Sequence, residues 1–227
     1  MALPLVAGLL LAFGCTAASP AGQIVVAGAD SGSYLRLAVS GEDLVVDGSM
    51  AEPQPAGCQF ARYRRVAVCP LARVGGIELD MGPAGDVVHV LDRLPVPLTV
   101  HLGDGSDKFI GNGEPDTCYS EGARRNRCIG EGGDDICITG PENSDCVGGP
   151  GDDFCQTGAG SDGCWGGPGN DICRMGAGQD GCHGEGGRDQ LFGGPGGDQL
   201  YGGPDYDECE GLPGWGRSRE CETGRGR

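Results

Sequence analysis

The 227-residue sequence predicts an all-β chain wound as a solenoid of short repeats. Three observations carry this. From Gly130 to Glu210 the chain divides without a gap into blocks of nine: GEGGDDICI, TGPENSDCV, GGPGDDFCQ, TGAGSDGCW, GGPGNDICR, MGAGQDGCH, GEGGRDQLF, GGPGGDQLY and GGPDYDECE. A fixed short period marks stacked units that bury their apolar faces only against one another. Gly accounts for 47 residues and aromatics for only 5%, which excludes a large mixed core over most of the chain. Helical bundles are excluded as well, since Gly costs about 1 kcal/mol at each helical position. The Gly spacing is not a strict three, so the chain is not collagen-like. Upstream of the blocks, β-branched runs are bounded by Gly, Asp or Pro, the pattern of short strands.

Residues 1–21 read as a leader. ALPLVAGLLLAF is apolar but too short to span a bilayer, and CTAASPAG follows with small residues, as in a signal-peptide cleavage zone. No basic residue precedes Arg36, so the leader is atypical or its true start lies upstream. Two readings stay open. Cleavage after Ala18 is one; the other is that Leu11–Cys15 resembles a bacterial lipobox, which would lipidate Cys15. Either leaves twelve of the 13 cysteines, an even number suited to an oxidising, extracellular compartment.

Residues 22–101 read as a β-rich N-terminal cap with degenerate repeats. QIVVAG, YLRLAVSGEDLVVDG, VGGIELDMG, DVVHVL and PLTVHLG are its strands, and the Gly82–Val88 segment looks like a decayed repeat. A cap here covers the first edge and keeps it from pairing with other chains. Cys58 and Cys69 bracket a hairpin.

The array spans residues 102–210. LGDGSDKFI and GNGEPDTCY keep the frame upstream of Gly130, and after Ser120 so does EGARRNRCI, which makes about twelve nonamers. The consensus is G-G-x-G-x-D-x-U-x. Gly at positions 1, 2 and 4 permits left-handed backbone and tight turns. Position 6 supplies a hard carboxylate oxygen, which with backbone carbonyls suits Ca²⁺. Position 8 is apolar or Cys and faces inward, whereas positions 7 and 9 vary as outward strand positions do.

This consensus resembles the hemolysin-type (RTX) calcium-binding nonapeptide repeat, over about half of the chain. The resemblance implies that six residues of each repeat turn, three form a strand, and two repeats complete one coil of a right-handed parallel β-roll. It also implies calcium ligands at Asp107, Asp135, Asp153, Asp162, Asp171, Asp180, Asp189, Asp198 and Asp207. The turn glycines Gly149, Gly151, Gly158, Gly160, Gly167, Gly169, Gly176, Gly178, Gly194 and Gly196 would frame them. Asp116 also stands at position 6, but Asn126 and Ser144 replace the acid, so 112–147 is expected to bind calcium poorly. Asp134 and Asp152 at position 5 would help their neighbours. Ions held between turns two repeats apart give about five sites. Three fall on the edge of Asp153, Asp171, Asp189 and Asp207, and two on that of Asp162, Asp180 and Asp198.

Eight consecutive inward positions are Cys: Cys118, Cys128, Cys137, Cys146, Cys155, Cys164, Cys173 and Cys182. Partners in adjacent repeats face each other across the core, and can be bridged if the roll narrows to within about 7 Å. Same-face partners two repeats apart are the alternative, with side chains that run parallel. Adjacent pairing is favoured: Cys118–Cys128, Cys137–Cys146, Cys155–Cys164 and Cys173–Cys182, with Cys58–Cys69 and Cys209–Cys221 in the caps. Residues 211–227, rich in Gly and Arg around Trp215, form the C-terminal cap.

The formal charge of −17 concentrates in residues 102–210, with 22 acids against 6 bases. Such a block repels nucleic acid and attracts cations. His89, His101 and His183 lie far apart, no catalytic motif is found, and only about 80 residues separate the leader from the array. An enzyme is therefore not expected. Zinc-type thiolate sites use close C-x₂₋₄-C pairs, unlike the C-x₈-C spacing here, and disulfides are the better reading. Beyond calcium no partner is specified; a calcium-dependent adhesin or other surface-binding module is the alternative to a plain scaffold. High Gly, Ala and Arg with a single Lys, Lys108, point to a GC-rich bacterial source.

Overall fold

The computed structural model describes residues 15–16, 23–27, 32–48, 59–61, 66–120, 122, 124–211, 216–221 and 223–224. The described chain alternates between two large sheets. Gln23–Ala27, Gly76–Asp80, Leu98–His101, Asp116–Ser120, Ile136–Thr139, Phe154–Gln156, Ile172–Arg174, Gln190–Gly194 and Glu208–Gly211 follow one another in the first sheet. The intervening strands, from Val87–Val90 through Lys108–Ile110 to Arg217–Arg219, follow one another in the second. All these neighbours pair in parallel, so the fold is a two-sheet parallel β-solenoid.

The nine-residue period explains the geometry. Each block supplies one turn and one strand, so two blocks complete a coil and residues eighteen apart stack: Cys137 pairs in register with Cys155, and Cys146 with Cys164. The coiling continues outside the nonapeptide array, through Gly76–Asp80, Val87–Val90 and Leu98–His101 upstream and Arg217–Arg219 downstream. Antiparallel pairing appears only at the N-terminal side of the described chain. There Tyr34–Ser40 folds back on Asp43–Gly48, which pairs with Val66–Pro70, and that strand pairs with Gln59–Ala61. Cys15–Thr16 pairs antiparallel with Gln23–Ala27; the rest of the leader lies outside the described residues.

The core changes character along the axis. Its N-terminal part is ordinary aliphatic packing of Leu35, Leu37, Leu44, Val46, Leu79, Val88 and Val100 around Phe109. From Cys118 to Cys182 the inward position is Cys, and Leu191, Leu200 and Cys209 follow. Two cysteine ladders result, Cys118, Cys137, Cys155 and Cys173 on the first sheet and Cys128, Cys146, Cys164 and Cys182 on the second. Outward positions also stack. Trp165, His183 and Tyr201 form a near-parallel column, and Arg174 lies over the rings of Phe154 and Phe192. Trp215 lies outside the described residues.

The sheets approach closely enough for cross-core disulfides. Cys118–Cys128 and Cys164–Cys173 have Cα atoms 6.3 and 6.4 Å apart, and Cys209–Cys221 links the last described coil to the segment after it. Cys69 is disulfide-bonded as well, while Cys58 lies outside the described residues. The expected pairs Cys137–Cys146, Cys155–Cys164 and Cys173–Cys182 are not formed. Cys164 bonds its C-terminal neighbour instead of its N-terminal one, and Cys137, Cys146, Cys155 and Cys182 are free thiols. The reason is a degeneracy of spacing. Each cysteine between Cys128 and Cys182 has a neighbour nine residues away on either side across the same narrow core, so the period cannot choose the frame.

Candidate metal centre

The turns line the two edges of the solenoid, and the inward side of each edge carries a column of buried position-6 residues. Turns running from the second sheet to the first end in Asp116, Asp135, Asp153, Asp171, Asp189 and Asp207. Those returning end in Asp107, Asn126, Ser144, Asp162, Asp180 and Asp198. Gly149, Gly151, Gly167 and Gly169 belong to the first edge, and Gly158, Gly160, Gly176, Gly178, Gly194 and Gly196 to the second.

Each column is tied together by one repeated hydrogen bond. The N–H of Asp135 donates to Oδ1 of Asp153 at 2.7 Å, that of Asp153 to Asp171 at 2.8 Å, and those of Asp171 and Asp189 to Asp189 and Asp207 at 2.9 Å. On the second edge Ser144, Asp162 and Asp180 donate in the same way to Asp162, Asp180 and Asp198. One carboxylate oxygen is thereby used. The other, Oδ2 of Asp135, Asp153, Asp162, Asp171, Asp180 and Asp189, is buried without a hydrogen-bond partner. Native proteins rarely leave buried acceptors in that condition, and a bound ion is one of the standard reasons.

Glycine makes room for these oxygens. At Gly148 and Gly166 a Cβ would sit 2.1 and 2.2 Å from Oδ2 of Asp153 and Asp171, so these first-edge turns are bare there, whereas Thr157 and Met175 hold the same position before Asp162 and Asp180 on the second edge. Position 2 is constrained differently: Gly167 has φ +119°, and a Cβ there would meet the Gly149 carbonyl oxygen at 2.3 Å. A side chain at Gly167 would strain the backbone and press on that carbonyl; Glu131 and Glu185 hold position 2 of their own repeats at φ +80° and +78°.

The electrostatics point the same way. Burial pushes the carboxyl of Asp171 up to about 7 and that of Asp135 to about 8; neighbouring carboxylates add to the rise and backbone N–H donation opposes it. Burial likewise raises Asp107, Asp153, Asp180 and Asp189 to about 6. A row of hard, anionic, half-satisfied oxygens fits Ca²⁺, which takes six to eight oxygen ligands. It does not suit a soft ion.

Several residues read differently in place. Asn126 and Ser144 interrupt only the second edge; the first keeps its acids through 112–147. Asn126 retains the structural half of the role, accepting the Asp107 N–H at 2.7 Å without bringing charge. Asp116 is the exception on the first edge, because its Oδ2 already accepts the Asn112 N–H. Glu114, at a position where Gly is usual, turns outward to pair with Arg93. Asp134 and Asp152 are exposed and form an outer ladder, Asp134 Oδ1 accepting the Asp152 N–H and Asp152 Oδ1 that of Asn170. Their charge still adds to the raised carboxyls of Asp153 and Asp171. Asp86 was not expected among the site residues. It extends the second column upstream of the array, its N–H donating to Asp107 Oδ1 at 2.7 Å. The signal was the decayed repeat Met-Gly-Pro-Ala-Gly-Asp, which keeps Asp at position 6 and places Val88 at position 8.

Residues 147–182 and 183–209 match the family model of the RTX calcium-binding nonapeptide repeat, in 4 copies. Residues 147–209 are built of RTX repeats. Neither the curated proteins nor the solved structures gave a match. The matched RTX segment contains most of the unpartnered Oδ2 oxygens; Asp135 precedes it.

Proposed function

We propose that this chain is an exported, non-enzymatic scaffold whose RTX roll is completed by calcium and braced by disulfides. The observation that carries the reading is that Asp135, Asp153, Asp162, Asp171, Asp180 and Asp189 are buried in the two columns with one oxygen held by the adjacent coil and the other without a hydrogen-bond partner. Ions would sit between successive carboxylates: Asp135 and Asp153, Asp153 and Asp171, Asp171 and Asp189, Asp189 and Asp207 on one edge, Asp162 and Asp180, Asp180 and Asp198 on the other. That is about six ions. Calcium replaces repulsion between stacked carboxylates with coordination, so its binding energy becomes folding energy.

Residues 22–101 act as the N-terminal cap and 211–227 as the opposite one, a reading supported by the antiparallel strands that flank the first coils and by the Cys209–Cys221 bond. The apolar leader with its small-residue zone, and disulfides in the core, support export. The deciding experiment is calcium titration of the chelator-treated protein followed by far-UV circular dichroism and bound-ion analysis. Cooperative gain of β signal at several ions per chain is expected. An unchanged spectrum and melting temperature would show that the disulfides suffice without calcium.

A further inference from the structure

The disulfides at the two ends of the cysteine ladder are in opposite frames. In chain order the eight core cysteines zigzag from sheet to sheet, and the bonds formed among them cross the core between consecutive members. Cys118–Cys128 pairs first with second; Cys164–Cys173 pairs sixth with seventh. An odd set, Cys137, Cys146 and Cys155, is trapped between them as thiols. One further disulfide among the three would always strand the third. Their sulfurs lie within 4.8 Å of one another, and all three residues are buried.

We propose that Cys137, Cys146 and Cys155 form a second, chemically distinct metal site, which takes one Cu(I) ion as a three-coordinate thiolate centre inside the roll. Three sulfurs bound at about 2.3 Å around a planar centre lie about 4 Å apart, so the observed spacing needs only a small closure. Ligand type selects a soft ion, since all three donors are sulfur. Ligand number then separates Cu(I) from Zn²⁺. Zinc in structural sites wants four ligands. Among the described residues no imidazole or carboxylate oxygen shares the span of the three sulfurs, and the flanking Cys118, Cys128 and Cys164 are held in disulfides.

The second sulfur triad, Cys164, Cys173 and Cys182, offers no such site while its first two members are bonded to each other. A cavity of about 10 Å³ is bordered by Cys137 and Cys146 together with Asp135 and Asp153. Binding exchanges S–H bonds for Cu–S bonds and passes the displaced protons to solvent; no oxidant or reductant is consumed. Its donors are sulfurs and none of the calcium-column oxygens, so retained copper and bound calcium are counted separately on the same calcium-loaded sample.

The test uses the full chain, purified without reductant, calcium-loaded and kept anaerobic. It is titrated with tetrakis(acetonitrile)copper(I) and then challenged with bathocuproine disulfonate. One copper per chain should survive the challenge, with an X-ray absorption signature of three sulfur neighbours. In the same sample copper should protect Cys137, Cys146 and Cys155, but not Cys182, from alkylation under mild denaturation, a readout that needs no variant. Cys146→Ser should abolish retention and Cys182→Ser should leave it intact, with calcium stoichiometry unchanged in both. Three results would overturn the proposal: no copper retained, equal retention by Cys146→Ser, or peptide mapping that finds Cys146 disulfide-bonded to Cys137 or Cys155 in the protein as isolated.

Discussion

Replacing Asp171 by Asn should change stability in opposite directions with and without calcium. Asp171 sits mid-column: its N–H donates to Asp189 Oδ1 at 2.9 Å, and its own Oδ1 accepts the Asp153 N–H at 2.8 Å. Asn preserves both bonds and removes only the charge. In chelator at pH 8, a carboxyl held at about 7 instead of its ordinary 3.8 makes the ionised folded form about 4 kcal/mol less favourable. Against this gain, the new amide hydrogens lie where Gly166 leaves little space, and an unpaired buried donor costs about 1–3 kcal/mol. The metal-free variant should therefore be more stable than the parent by about 1–3 kcal/mol, a rise in Tm of several degrees for a chain of this size. In saturating calcium the sign reverses, because Asp171 would be shared by the ions on either side and both are weakened. Thermal melts by far-UV circular dichroism in the two conditions, with ion counting on the same samples, decide it. Destabilisation of equal size in both conditions would refute the reasoning and make Asp171 a hydrogen-bonding residue only.

Asp116→Ala should cost less calcium than Asp171→Ala, since Asp116 spends its second oxygen on the Asn112 N–H; equal losses of bound ion per chain would contradict the edge assignment. Metal-free protein should lose stability as pH rises. The carboxyls of Asp153, Asp171 and Asp135, raised from 3.8 to about 6, 7 and 8, favour the protonated fold fully below about pH 4 and withdraw that support between about pH 4 and 8. Calcium should suppress the decline; melting temperatures across that range with and without chelator measure it. Gly167→Ala should destabilise by about 2–4 kcal/mol through its left-handed φ and the Gly149 carbonyl. Gly181→Ala, where a Cβ meets nothing within 4 Å, should be neutral or slightly stabilising in denaturant melts.

The nonapeptide frame made much of this legible beforehand, because one period determines turn, strand, inward position and edge together. It brought Asp153, Asp171, Asp189 and Asp207 to one edge and Asp162, Asp180 and Asp198 to the other before any coordinate was known. It also put the strand after each Asp, as at Phe154–Gln156 and Ile172–Arg174. Symmetry is also why the rest was hidden. A repeat that offers every cysteine two equivalent partners does not determine which one it bonds. That choice depends on small differences between coils that spacing does not record. Asp86 escaped for the opposite reason: 21 residues separate it from Asp107, so the frame skips it although the backbone still stacks it beneath Asp107.

The hydrogen bonds of the buried position-6 columns run one way. From Asp135 on, the backbone N–H of each coil donates there to a carboxylate that arrives eighteen residues later. A chain made from its N-terminus therefore produces each coil unlatched, and the latch follows with the next coil. The youngest coil is always the loose one, and everything behind it is locked. Shortening such a molecule from its C-terminal end releases a single fastening at a time, so the roll would unravel stepwise in reverse order of synthesis, like a ratchet let back one tooth after another.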